Sequence, residues 1–207
     1  MPLKLCDCVR EIDFLINFPV MKGHCQTHVT CALKNMKGLI PNSEKRRFHT
    51  LGLMKPIAHL NVGIRQDFVL VDAICGDLNF EEGGNPVPRG QVLGFLDPVL
   101  CDAYACESMG YALDEVPYIG MAEALGVGSA DVTNAKVIEL NQPGDAPVKL
   151  RASRRIQSLA RHVEVRDACS ACYANLIYAL ARLDDEGMLG WLEDKICIGP
   201  VSYTHLG

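Results

Sequence analysis

The chain has 207 residues, enough for one full core or one core with a small appendage, and its 20 Lys and Arg against 25 Asp and Glu give a formal charge of -5. That balance argues against a nucleic-acid binder and against an anionic-membrane binder. No apolar run approaches eighteen residues and the N-terminus lacks the pattern of a secretory signal, so the expected address is the cytoplasm, where ten cysteines point to metal, cluster or thiol chemistry.

In chain order, Cys6 and Cys8 are spaced to face one side of a strand, as packing residues. Ile12 to Phe18 reads as an inner strand closed by Pro19. Residues 19–38, PVMKGHCQTHVTCALKNMKG, crowd Lys22, His24, Gln26, Thr27, His28, Thr30, Lys34, Asn35 and Lys37 into a turn and a helix. That helix is predicted to run from Thr27 or His28 through Asn35, with Thr27 as N-cap and Gly38 as stop. A strand that opens into a polar turn and a helix N-terminus is where open α/β sheets bind ligands, so the working site is expected here. The alternative is that Lys22 and Lys34 are solvated and His24 caps the turn.

Residues 42–52 read as a charged loop in which Arg46 and Arg47 form either a basic lid for an anionic ligand or a solvated segment. A short helix is predicted over Lys55 to Arg65, starting near Pro56, then an inner strand over Phe68 to Ile74 with Asp72 near its end. The loop after it carries Asp77, Glu81, Glu82 and the pair Gly83 and Gly84, which can bring backbone close to a ligand. Val92 to Leu96 is a third strand, and Asp97 caps a helix from Pro98 through Met109 that Gly110 stops. Cys75, Cys101 and Cys106 sit among apolar neighbours and suit a core.

Three predicted strands thus end in ionisable groups: Lys22 and His24, Asp72 and Asp77, and Asp97 with Asp102. Parallel neighbours would bring these groups to one edge of the sheet, with His24 as acid or base beside Lys22, Asp72 and Asp97. Against this, Asp97 has a sufficient role as a cap and Asp72 can satisfy a nearby amide. A helix over 117–125, a strand over Ala135 to Leu140 and a linker over residues 141–153 complete the first unit, with a boundary near residue 150.

The remainder centres on Cys169 and Cys172, a Cys-x-x-Cys at the start of a helix that runs to about Asp185, with Asp167 as N-cap and Leu176, Ile177, Leu180 and Leu183 on its apolar face. A helix N-terminus favours thiolate, which serves dithiol exchange or soft-metal ligation, and Cys197 on a short strand over 195–198 is a third candidate ligand. A cubane or a structural zinc commonly takes four, and none follows. The final VSYTHL, residues 201–206, equals one reading frame of a transposon end used in sequencing libraries, so the natural sequence is expected to break near Pro200.

The stretches PVMKGHCQTHVTCALKNMKG, SEKRRFH, VDAICGDLNFEEGGNPV, LDPVLCDAYACESMGY and CSACYANLIYAL together resemble the bacterial and archaeal family catalogued as domain of unknown function 362, over nearly all of residues 10 to 200. The resemblance places the family's Lys-x-His turn on Lys22 and His24, its Thr and Lys-Asn pair on Thr30, Lys34 and Asn35, and its Asp-Pro and Asp on Asp97, Pro98 and Asp102. It places the Cys-x-x-Cys on Cys169 and Cys172 and implies an iron-sulfur cluster of the [4Fe-4S] kind in a cytoplasmic redox setting, with no particular substrate; Cys197 as a further ligand and a redox partner protein are added expectations. Relatives begin with a further α/β segment and end with further cysteines, so a fragment at both ends is expected, with an unpaired sheet edge or an uncovered apolar face.

The combined expectation is an α/β protein with a mostly parallel or mixed open sheet and flanking helices over 1–150, a small cysteine-bearing α/β unit over 151–200 and a non-native tail over 201–207. Its function is read as cluster binding in redox metabolism beside a strand-end site for a small anionic molecule, with Arg46, Arg47, Asp77 and Asp102 among the ligand contacts. The alternatives are a metabolic enzyme using Lys22, His24, Asp72 and Asp97 without a cluster, and a dithiol oxidoreductase or zinc module using Cys169 and Cys172.

Overall fold

The computed structural model describes residues 2–81, 86–141, 154–166, 168 and 170–199. Gly83, Gly84, Asp167, Cys169, the linker over 142–153 and the tail lie outside the described residues. The chain is mixed α/β. In order, the strands are β1 (Ile16–Asn17), β2 (Lys22–His24), β3 (His28–Thr30), β4 (Phe68–Asp77), β5 (Pro86–Phe95), β6 (Val163–Val165) and β7 (Ile196–Ile198). The helices are α1 (Ala32–Asn35), α2 (Asn42–Leu51), α3 (Met54–Gly63), α4 (Pro98–Ser108), α5 (Pro117–Ala124), α6 (Arg155–Ala160) and α7 (Ser170–Asp185).

The main sheet has the order β1-β4-β5, with β1 parallel to β4 and β4 antiparallel to β5. Strand β4 buries Val69, Val71 and Ala73, the alternation expected where one face of a sheet meets a core. These residues pack with Phe48 of α2, Ile57 and Leu60 of α3, Val99 and Cys106 of α4, and Tyr118 and Ile119 of α5 in one hydrophobic cluster. The opposite face is open. Phe14, Ile16, Phe18, Val20, Val92 and Leu96 are all exposed, so the inner strand expected over Ile12 to Phe18 is instead a two-residue edge strand with its apolar side chains toward solvent.

Several other expectations are corrected. Residues 42–51 form α2 rather than a loop, because Glu44 and Phe48, four apart, are both buried on one face. The helix after the polar turn is only Ala32–Asn35, since residues 28–30 pair with β2 as an antiparallel hairpin, and Thr27 spends its hydroxyl on the carbonyl of Val29 at 2.9 Å. Both β4 and β5 run ten residues, which shortens the expected loop over 75–90 to residues 78–85. The predicted strand over Ala135 to Leu140 is irregular, with Val137, Ile138 and Leu140 exposed. Cys6 and Cys8 fall in and beside a 3-10 turn rather than a strand, and Cys75 is exposed while Cys101 and Cys106 are buried.

Helix α4 follows expectation: Asp97 Oδ1 accepts from the amides of Val99 (2.7 Å) and Leu100 (3.1 Å), and Pro98 fills the first turn. A second hydrophobic cluster joins Ile156 and Leu159 of α6, Val163 of β6, and Ile177 and Leu180 of α7. It also takes in Cys25 and Phe80 from the first part of the chain, and the Phe80 ring meets Tyr178 edge-on at 5.3 Å.

Candidate functional site

The site is built where β2 crosses the end of β4. Gly23 and Gly76 make the crossing possible: a Cβ on Gly23 would strike the backbone of Leu78, and one on Gly76 the carbonyl of Met21. Asp77 then turns the chain, its Oδ1 accepting from the amides of Asn79 (2.7 Å) and Phe80 (3.1 Å). With Phe80 anchored in the second cluster, Glu81 is delivered to the β2-β3 hairpin.

There Glu81 Oε2 receives Lys34 Nζ at 2.9 Å and His24 Nε2 at 3.3 Å, while Lys22 Nζ donates to the Glu81 backbone carbonyl at 2.9 Å. Lys34 Nζ also donates to Thr30 Oγ1 at 3.1 Å. An ammonium has three N–H groups, so one on Lys34 is uncommitted among the described residues. Lys34 is 3 % exposed. That burial lowers its pKa from 10.5 to about 8, with Glu81 pulling the other way.

His24 is buried too. Its Nδ1 accepts from the amides of Gln26 (3.1 Å) and Thr27 (3.2 Å), which assigns the proton of the neutral ring to Nε2, facing Glu81. Burial lowers the His24 pKa below 6.5, and the adjacent Lys34 adds to it against the opposing pull of Glu81. Glu81 is held well below the usual carboxylate range, first by the His24 hydrogen bond and then by Lys34, against a partial burial that acts the other way. Lys37 and His49 complete the surroundings. Burial lowers the pKa of both, Lys37 further feels Glu81, and His49 feels Lys37, His24 and Lys34.

Of the residues singled out from the sequence, Lys22, His24, Thr30 and Lys34 are brought together. Asn35 instead donates to Asn17 Oδ1 at 2.7 Å, within an amide network in which Asn17 reaches Gln66 at 2.6 Å. Asp72 lies beside Val20 and Val92 in the sheet, with its Oδ1 on the Ile74 amide at 3.0 Å. Asp97 is remote from the cluster. Because β5 runs antiparallel to β4, its end pairs with Val69, about 26 Å back along the sheet from Asp77 at 3.3 Å per residue. Asp97 Oδ2 accepts there from Ser129 at 2.8 Å. Arg47 pairs with Glu44 at 3.1 Å and with the Pro2 carbonyl, and Arg46 is exposed on the same helix. Asp102 is sealed in the core, accepting from Leu33 N (3.2 Å) and Tyr118 Oη (2.9 Å), and burial raises its pKa to about 7. Glu81, the hub of the cluster, stands in the acidic loop noted after the Phe68 to Ile74 strand but is not among the expected site residues.

Among the described residues one group has metal-ligand spacing: Cys31, Cys101 and Asp102, with donor atoms within 4.8 Å of one another. All three are buried, the two Sγ atoms are 3.6 Å apart, and burial pushes the Cys101 thiol well up. Cys172 of α7 and Cys197 of β7 are exposed. No helix of the described residues is long and apolar enough to cross a membrane.

The fold and the cluster define a mixed α/β protein with a basic, partly neutralised cluster of side chains at a strand end. The family model described as Domain of unknown function (DUF362) matches residues 2–107, from the first turn through α4, and the chain belongs to that family. The match contains every residue of the Glu81 cluster. Searches of curated proteins and of solved structures returned no match.

Proposed function

We propose that the protein binds a small anionic molecule at Lys22, His24, Thr30 and Lys34, with Glu81 holding the cations in place until the ligand's own carboxylate or phosphate joins or replaces it. The observation that carries this reading is the buried Lys34 ammonium, which has an N–H to spare among the described residues. A lysine is buried charged only where an anion compensates it, and among the described residues the carboxylate of Glu81 is what meets Lys34 and His24 and attracts Lys37. With a pKa of about 8, Lys34 can exchange a proton with a bound anion near neutral pH, while the Nε2–H of the neutral His24 ring donates a hydrogen bond to it. Calorimetric titration with inorganic phosphate and with malonate tests the reading. Saturable binding that Lys34→Met weakens at least tenfold supports it; equal binding by both proteins removes it.

A second reading concerns the exposed thiols Cys172 of α7 and Cys197 of β7. Together with Cys169 they would ligate an iron-sulfur cluster that exchanges electrons with a protein partner in the cytoplasm, or a zinc ion. The described residues supply two thiols there, short of the four a cubane takes, so no step at the anion site is routed through a metal. Iron and sulfide analysis after anaerobic preparation is the test. A colourless, metal-free protein rejects it.

A further inference from the structure

Cys31 stands between β3 and α1, while Cys101 and Asp102 stand in the first turns of α4, so these three side chains join the helix that carries Lys34 to α4. Two thiols and a carboxylate are a donor set that thiophilic divalent ions take. The spacing suits such an ion. The Sγ atoms are 3.6 Å apart, and zinc–sulfur bonds of about 2.3 Å drawn from that pair meet at about 103°, close to the tetrahedral angle. A carboxylate oxygen lies within 4.8 Å of both sulfurs, so at most about 1 Å of movement brings it to the separation of neighbouring ligands in a tetrahedral site.

The donors are also oriented from outside. Leu33 N donates to Asp102 Oδ1 at 3.2 Å and Tyr118 Oη to Oδ2 at 2.9 Å, and the Ala32 amide favours the charged forms of both Cys101 and Asp102. Outer partners of this kind hold metal ligands in place. Burial works against the same charged forms, pushing Cys101 well up and Asp102 to about 7, and a dication among the three donors would reverse that. The raised values belong to the metal-free chain.

We propose that Cys31, Cys101 and Asp102 hold a zinc ion whose remaining position is taken by a water oxygen, and that the ion fastens α1 to α4. Loading forms two metal–sulfur bonds and one metal–oxygen bond and releases to solvent the protons those donors carry. All three residues are at most 1 % exposed, so the ion enters while the chain folds. Its role is structural: Lys34 follows Cys31 by about one helical turn, and the ion steadies that turn. The centre shares no ligand with Cys169, Cys172 and Cys197.

Full-length chain carrying Cys172→Ser and Cys197→Ser, from cells grown with cobalt(II) in zinc-depleted medium, tests the assignment. Cobalt takes zinc's donors and reports thiolate ligation by a charge-transfer absorption. About one cobalt per chain, with that absorption, should survive washing under reducing conditions. Cys31→Ser and Cys101→Ser should each lower bound cobalt at least tenfold. Circular dichroism establishes that each variant folds. Where one does not, X-ray absorption of the cobalt-loaded chain decides: two sulfurs with oxygen neighbours meet the proposal, and any other sulfur count rejects it. A cobalt-free chain, or cobalt unchanged in both folded Cys31→Ser and Cys101→Ser, would overturn it.

Discussion

His24 Nε2 lies 3.3 Å from Glu81 Oε2, and the proton between them belongs to the imidazole, because the opposite nitrogen is occupied by the amides of Gln26 and Thr27. Protonating the ring would turn Nδ1 from an acceptor into a donor facing two other donors. The hairpin turn therefore enforces a neutral histidine beside a carboxylate, where an ion pair would otherwise form.

This relationship sets a pH dependence. The folded-state pKa of His24 is lowered, so its contribution to stability is present above pH 6.5 and is lost as pH falls below 6.5 toward the folded value. His28 and His49 shift the same way, so the measurement is a difference. Denaturant unfolding at pH 7.5 and 5.5 should show a smaller loss of stability in His24→Asn, which retains an acceptor for the two amides, than in the parent.

Asp102 carries the opposite sign. Its pKa is raised to about 7, so the stability it confers is complete below pH 3.8 and is lost as pH rises through 7. Asp102→Asn removes the titration. Relative to the parent, this variant should gain on the order of 3 kcal/mol between pH 4 and pH 8, measured by the same unfolding experiment.

Two glycines separate close approach from mere presence in the chain. Gly76→Ala drives a Cβ into the Met21 carbonyl, backbone that cannot swing aside, and should cost about 1–3 kcal/mol and disturb the anion site. Gly120→Ala in α5 meets nothing within 4 Å and should stabilise by up to about 1 kcal/mol. Thermal unfolding of both variants reads the contrast.

The open sheet face makes a further expectation concrete. Phe14 and Phe18 are 63 % and 60 % exposed, so Phe14→Ser with Phe18→Ser should change stability by no more than about 1 kcal/mol. The same pair should reduce binding of a hydrophobic dye and self-association seen by light scattering.

Much of the framework was legible in the sequence. The apolar run Phe68–Ile74 and the Asp97-Pro98 cap are local signals, and both appear where expected. The Lys22 and His24 turn was also visible as a crowd of polar groups after a strand. Strand direction was not, because nothing local distinguishes a parallel neighbour from the second arm of a hairpin, and antiparallel pairing sends Asp97 to the far end of the sheet. Glu81 was hidden for a related reason. Its position depends on Phe80 packing against Tyr178, nearly a hundred residues later, which no window along the chain can report.

The most direct test of the anion site is the titration of Lys34 itself, followed by NMR of the lysine side chains after selective carbon labelling, with Lys34→Met identifying its signal. The free protein should show Lys34 titrating near pH 8, and saturating phosphate or malonate should move that midpoint upward, because a bound anion favours the charged amine. A Lys34 midpoint near 10.5, or one near 8 that neither anion moves, would contradict the account.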